Sequence, residues 1–503
     1  MLRKLRIILS VLFFVGICWL FLDISEFAFT HIAFLARLQL VPSILSGSFV
    51  IVGTILICTF LFGRLYCSSI CPLGVIQDGI ARLKPKRRYC FVTGKPWLQL
   101  VVLLVFILSF TIGISLFFDL LEPYSAFGRI VSTLIAPVWI TGSNGLAWIV
   151  EQRNSFAIGY TPLWQKGLFA LLAAIITLSV IGILAWRGGR IWCNTFCPVG
   201  TFLGLISRFS ILQPRLNTEN CIHCGKCEHV CKAQCINARE GILDSTRCVS
   251  CFNCLTACDK NSISYRPSLQ NITRGKKPSK NNFDNKGKNL AQETISQPIN
   301  FSRRAFFATA VCTVTLPLTA FAANKKAPIS ALTRRKPPLR KVAVISPGAS
   351  NLETFKTKCT GCQLCVSACP NQVLRPSDFG NNVLQPVLSF EHGYCRVNCV
   401  ACSSVCPTGA IKPISVEQKS AIQIGRAIIT SEICIITTDD VSCNACARNC
   451  PVKAINMVGP IGKYKRPAVS TEKCIGCGAC EYVCPSRPLA AIQVEGNLIH
   501  RRI

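Results

Sequence analysis

Three motifs that would tie the chain to common redox or nucleotide chemistry are missing. No C-x-x-C-H run offers a covalent haem site, no G-x-G-x-x-G a dinucleotide fold, and no G-x-x-x-x-G-K-[ST] a phosphate loop. Haem attachment, nicotinamide oxidation and ATP coupling therefore gain no support. Acidic residues are also scarce: 23 Asp and Glu face 55 Lys and Arg, a formal charge of +32. No nucleic-acid fold or stacking platform accompanies that excess. It reads as basic membrane-flanking loops and a solvated linker, with no nucleic-acid partner.

What the sequence does have is long apolar runs, at 7–22, 41–63, 98–118 and 165–186. The last three are long enough to span a bilayer. The first follows MLRKLR, and no small-residue cleavage site comes before Asp23, so it reads as an uncleaved first helix. GRLYCSSICPLG (63–74) and GRIWCNTFCPVG (189–200) match at a constant offset of 126, each directly after an apolar run. Residues 1–210 are thus expected to be a four-helix membrane domain with an internal two-helix repeat. Basic residues gather at the termini and in the middle loop (Arg64, Arg82, Lys84, Lys86, Arg87, Arg88, Lys95), whereas 23–40 and 119–164 hold only Arg37, Arg129 and Arg153. That asymmetry puts both C-x3-C-P motifs on the cytoplasmic side. Cys67, Cys71, Cys193 and Cys197 could jointly hold a metal centre, act as thiols that tune or dock a partner, or be reduced cysteines at helix ends.

Most of the 33 cysteines fall in runs spaced two, two and three, the spacing of thiolates around a [4Fe–4S] cluster. Zinc needs neither that repetition nor the frequent closing proline. In two-cluster ferredoxins the fourth cysteine of each run serves the other cluster. Crossed ligation groups Cys221, Cys224, Cys227 and Cys258, then Cys248, Cys251, Cys254 and Cys231, in a cytoplasmic module at 211–266. Lys232 and Asp259 stand there where proline usually follows, and Cys235 could substitute for Cys231. Two further units occupy 351–503. The first groups Cys359, Cys362, Cys365 and Cys406, then Cys395, Cys399, Cys402 and Cys369. The second groups Cys434, Cys443, Cys446 and Cys484, then Cys474, Cys477, Cys480 and Cys450. Six [4Fe–4S] clusters, each carrying −2 with its thiolates, bring the net charge to about +20.

Residues 267–300 are polar, basic and nearly devoid of aromatics, so they form a linker. SRRAFF opens the next stretch, 301–323, which fits a twin-arginine signal; its competitor is a fifth membrane helix with a basic flank. A second linker, 324–350, follows. The twin-arginine route carries folded proteins, which suits a four-cluster domain that must acquire iron in the reducing cytoplasm before export. Residues 351–503 are accordingly expected in the periplasm, with the rest in or behind the bacterial inner membrane. The fold class is multidomain: an α-helical membrane bundle plus α+β dicluster-ferredoxin modules.

Residues 1–266 resemble the NapH family of membrane polyferredoxins, related to NosR and CcoG-like proteins. Residues 301–503, with the twin arginine and the widened C-x3-C (Cys395) and C-x8-C (Cys434) gaps, resemble the NapG/MauM ferredoxins. The resemblance implies oxidation of quinol from the membrane pool and electron delivery to a periplasmic reductase, such as nitrate reductase. Glu26, His31, Arg37, Asp119, Glu122 and Tyr124, at expected outer helix ends, could bind the quinol head or accept protons. No catalytic residue is assigned. The alternative is an accessory factor that reduces or matures a periplasmic metalloenzyme without turning over quinol.

Overall fold

The computed structural model describes residues 2–267 and 335–503, apart from 24–26, 84–87, 114, 154–158, 164–166, 218–219, 379–381 and 462. Glu26, Cys312, almost all of the 267–300 linker and the arginine-bearing stretch at 301–323 lie outside the described residues.

The principal helices of the first half are α1 (Leu2–Leu22), α2 (Phe49–Phe62), α3 (Leu65–Ser69), α4 (Pro72–Arg82), α5 (Pro96–Ile112), α6 (Pro123–Ile130), α7 (Ala136–Glu151), α8 (Leu168–Gly188), α9 (Ile191–Thr195) and α10 (Pro198–Ser207). Three described stretches, Leu2–Leu22, Pro123–Glu151 and Leu168–Gly188, are long and apolar enough to cross a membrane. This departs from the four runs expected. Gly47, left-handed at φ 73°, ends a short helix Leu40–Ser46 and splits the 41–63 run, leaving α2 at 14 residues. Gly113, at φ 82°, stops α5 after 17 residues.

The helix over Pro123–Glu151 occupies what the sequence suggested was a connection. Proline fits the first helical position because its missing N–H has no partner there. The carboxylate of Glu122 accepts the Ser125 backbone N–H and caps the end. A π-turn, Val131–Ile135, joins α6 to α7 just before Pro137. A proline inside a helix removes one donor and crowds the preceding turn, and the widened turn absorbs both effects.

The repeat seen in sequence is a repeat of structure. Residues 126 apart begin α3 and α9, and again α4 and α10. Gly63 (φ 73°) and Gly189 (φ 71°) supply the turn out of α2 and α8. Cys71 and Cys197 sit at the N-caps of α4 and α10, each followed by proline. The arginines then cross: Arg190 Nη1 donates to the Cys67 carbonyl at 2.5 Å, and Arg64 Nη2 to the Cys193 carbonyl at 3.2 Å. Gly74 and Gly200 make room for them. A Cβ on Gly74 would lie 2.4 Å from the Cys67 oxygen and 2.6 Å from Arg190; one on Gly200 would lie 2.2 Å from the Cys193 oxygen and 2.8 Å from Arg64.

Arg64 and Arg190 are therefore not loop charges: they are 1% and 0% exposed. Their burial is offset by specific partners. Asp78 accepts from Arg190 Nε and Arg6 Nη2, each at 2.7 Å, and from the Lys232 ammonium. Although burial opposes its ionisation, the surrounding Arg190, Lys232 and Arg6 hold the Asp78 carboxyl well below the usual range. Lys232 replaces the expected proline because its side chain reaches this carboxylate.

Small antiparallel pairs close the cysteine-rich modules. β1 (Leu212–Leu216) pairs with β2 (Ile263–Pro267), bracketing the first module. In the C-terminal part β3 (Leu374–Pro376) pairs with β4 (Pro386–Leu388), and β6 (Ile455–Ile461) with β7 (Tyr464–Val469). β5 (Ile422–Ile429) pairs with β8 (Ile492–Arg502), wrapping the second unit. The C-terminal part packs on the far end of α1 from Arg6. There a Cβ on Gly128 would lie 2.3 Å from the Cys362 carbonyl and 2.8 Å from Phe21.

Asp78→Asn should leave three buried cations short of a counter-charge and destabilise the fold by about 3–5 kcal/mol. Thermal unfolding in detergent measures this. Adding Lys232→Met to Asp78→Asn is expected to recover part of the loss, since it removes one of the uncompensated charges.

Candidate metal centres

Short helices starting just after a cysteine pair turn successive thiols inward, and the fourth cysteine of each run points away toward its neighbour. Cys231 joins Cys248, Cys251 and Cys254 around one hollow. Cys369 joins Cys395, Cys399 and Cys402; Cys450 joins Cys474, Cys477 and Cys480; Cys484 joins Cys434, Cys443 and Cys446. Cys406 interacts electrostatically with Cys359, Cys362 and Cys365. Cys227 faces Cys221 and Cys224, with Lys226 between Cys224 and Cys258. Four of the crossed groups thus each share a hollow, and Cys359, Cys362, Cys365 and Cys406 lie close enough to interact.

The donor set fits clusters better than single ions. Among the described residues no group of His, Cys, Asp or Glu is arranged to hold one metal ion. The thiols instead wall hollows whose other side chains are mostly apolar, with Arg396 and Lys419 also lining that of Cys369. Burial pushes the Cys362, Cys402 and Cys477 thiols up to about 12. Thiols so buried ionise when metal replaces their protons, so cluster binding would release protons.

Cys235 belongs to one of these hollows, with its Sγ 3.5 Å from that of Cys231. Its hydrogen bond, outweighing burial, pulls the Cys231 thiol down to about 7. The partly exposed Cys18 and the exposed Cys58 and Cys90 lie away from any such hollow.

Cys67, Cys71, Cys193 and Cys197 also meet. All four are buried, and burial followed by the neighbouring thiolates pushes Cys71 and Cys197 up. Cys67 is raised by burial and drawn back by Arg64. Gln77 Nε2 donates to Cys193 Sγ at 3.2 Å. Two arginines and an amide thus face a buried group of four sulfurs supplied by both halves of the repeat. Spacing identified the cysteines; Gln77 and Asp78 carried no signal of their own, being two polar residues in an amphipathic segment.

The outer candidates divide. Asp119, Glu122 and Tyr124 are fully buried beside Arg129 and the loop of Cys362. His31 instead packs on Phe27, and Arg37 donates to the Ser404 carbonyl at 3.1 Å.

A model of a 4Fe-4S binding domain matches residues 46–90 and 169–218, the two halves of the repeat, and one of a 4Fe-4S dicluster domain matches 358–410 and 441–487. The methylamine utilization ferredoxin-type protein MauM of Methylobacillus flagellatus is 30% identical over 164 residues, 31% of this chain and 69% of that protein. The chain belongs to the MauM family of ferredoxin-type proteins. The ferredoxin-type protein NapG of Escherichia coli K12 is 30% identical over 149 residues, 27% of this chain and 64% of its own. NapF of the same strain is 27% identical over 146 residues, 29% of this chain and 82% of its own. No solved structure matches. This MauM relative is an iron–sulfur electron-transfer protein whose cysteines bind 4Fe–4S clusters.

Crossed grouping makes a specific expectation. Cys359→Ser and Cys406→Ser should each remove the same cluster, about four irons per chain, and the double variant should lose no more. Iron analysis and EPR of anaerobically purified protein give the count; a loss of about eight in the double variant would separate the two residues.

Proposed function

We propose that the protein holds six [4Fe–4S] clusters and uses such clusters to carry electrons from membrane quinol to a periplasmic reductase of the nitrate-reductase type. The observation that carries this reading is the arrangement of thiol groups at both ends of α1. Arg6, near its start, donates to the Ser68 carbonyl beside Cys67, while Phe21, near its end, packs against Gly128 of α6, which abuts the Cys362 carbonyl. The helix rises about 22 Å from one to the other. Between these ends α6 packs on α4 and touches the Cys362 loop, and every residue of α6 is buried. Tyr66 stands next to both Cys71 and Glu122.

Quinol gives up two electrons and two protons; the clusters store single electrons, which suits them to split such a pair. On this reading the module at 211–266 is cytoplasmic and the 351–503 domain periplasmic, delivered by the twin-arginine stretch. The four C-x3-C-P thiols hold a further sulfur-ligated centre between the two sets. Their burial, the two arginines that offset thiolate charge, and the 4Fe-4S domain match over both repeats support that role.

Two measurements test the proposal. In liposomes, menaquinol or ubiquinol should reduce the clusters rapidly as followed by EPR, and a quinol analogue should block it; intact clusters left oxidised by both quinols would favour the accessory role. Cys67→Ser and Cys193→Ser should each lower metal content by the same amount without loss of the 24-cysteine signals. Unchanged metal content would leave those four sulfurs as thiols alone.

A further inference from the structure

A cavity of about 290 Å3 borders the Cys369 hollow, sharing Cys369 and Pro370 with it, and lies apart from the other three. It opens between the outer end of α1, the start of α7 and the Cys369–Pro370 turn. Phe21, Phe29, Trp139 and Ile140 give it apolar and aromatic walls, and both α1 and α7 belong to stretches able to cross a membrane. Its other side is polar: Asp23, Ser132, Thr161 and Gln372. Asp23 is the only acid among the lining residues. Sites for small ligands combine such apolar walls with a few fixed polar groups, at volumes of roughly 300 Å3 and above.

The cavity is built rather than incidental. Its outer wall, around Tyr160–Leu163, is tied on two sides. Asn144 accepts the Thr161 N–H at 2.9 Å and donates to the Thr161 carbonyl at 2.8 Å, fixing the wall to α7. Gln372 Nε2 donates to the Pro162 carbonyl at 3.0 Å, fixing it to the cysteine-bearing domain. Ser132 Oγ, 2.7 Å from Gln363 Oε1, ties the inner side to the neighbouring cysteine loop. One wall therefore faces the lipid-crossing helices and the opposite wall contains a cluster cysteine.

We infer that this cavity seats the quinol head group, with Cys369 and its cluster partners as the electron entry point. The inference rests on the proposed quinol oxidation and adds the place and the residues. Oxidation here removes two electrons and two protons from the head group. A cluster held by Cys369, Cys395, Cys399 and Cys402 would take the electrons one at a time, passing the first onward before the second arrives, and the protons would leave to water on the polar side, past Asp23. Asp119, Glu122 and Tyr124 do not line the cavity, so they are not its contacts.

The test uses the full chain in liposomes with a short-chain azido-ubiquinone as photolabel. Cross-links are expected within 136–140, 160–163 or 366–372, and excess ubiquinol should displace them. Ala136→Phe and, separately, Ile140→Trp fill the cavity. Each should abolish the label and slow quinol-driven cluster reduction at least tenfold, while dithionite still reduces the clusters fully. Labelling elsewhere with normal quinol turnover overturns this location and leaves the proposed reaction standing. Label in the cavity without any reduction by quinol keeps the site and removes the reaction. Displacement by phospholipid but not by ubiquinol would make the cavity a lipid seat and overturn the inference.

Discussion

One carboxylate holds four parts of the molecule together. Asp78 sits on the first repeat, Arg190 on the second, Arg6 on the first helix and Lys232 on the first ferredoxin module. Removed from water, these charges are stable only in one another's company. Because Arg190 also reaches the Cys67 carbonyl, the same contact fixes where the C-x3-C-P sulfurs lie. The module's seat on the membrane half and the geometry of the thiol pocket are therefore set by a shared electrostatic knot.

The crossed arginines extend that logic into a pseudo-symmetric joint. Each repeat supplies the cation that stabilises the other's cysteine turn, so neither half completes its pocket alone. The conserved look of G-R-x-x-C-x3-C-P-x-G within this one chain has a mechanical basis: a glycine turn, a crossing cation, two sulfurs, a helix start and a gap for the visiting guanidinium. Buried thiolates need compensating positive charge, and arginine, which stays protonated, supplies it without regard to pH.

Legibility followed the physics of each feature. Cysteine spacing is a local constraint imposed by a cluster, and the thiols that share a hollow in the folded chain are those that the crossed pattern pairs. The duplicated C-x3-C-P segment was equally visible. Long-range pairing was not: Arg64 and Arg190 looked like basic loop residues, and only the fold reveals their partners. Lys232 stood out as an oddity at a proline position but gave no hint of Asp78. The helix at Pro123–Glu151 was missed because Ser, Thr, Asn and Gly dilute its apolar character, although Glu122-Pro123 is a recognisable helix start. The cavity beside Cys369 draws its walls from segments more than 200 residues apart, so no local pattern announces it.

Helix α6 has an electrical consequence. Eight buried residues, about 12 Å of chain, stand between the α4 repeat and the Cys362 loop. An electron exchanged between the two cluster sets past these residues would also move charge across the insulating layer. Such a step responds to the potential across the bilayer by about 2.3 kcal/mol per 100 mV for a full crossing. Energised and de-energised membranes would then load the two cluster sets differently, with this short helix as the segment over which the voltage acts.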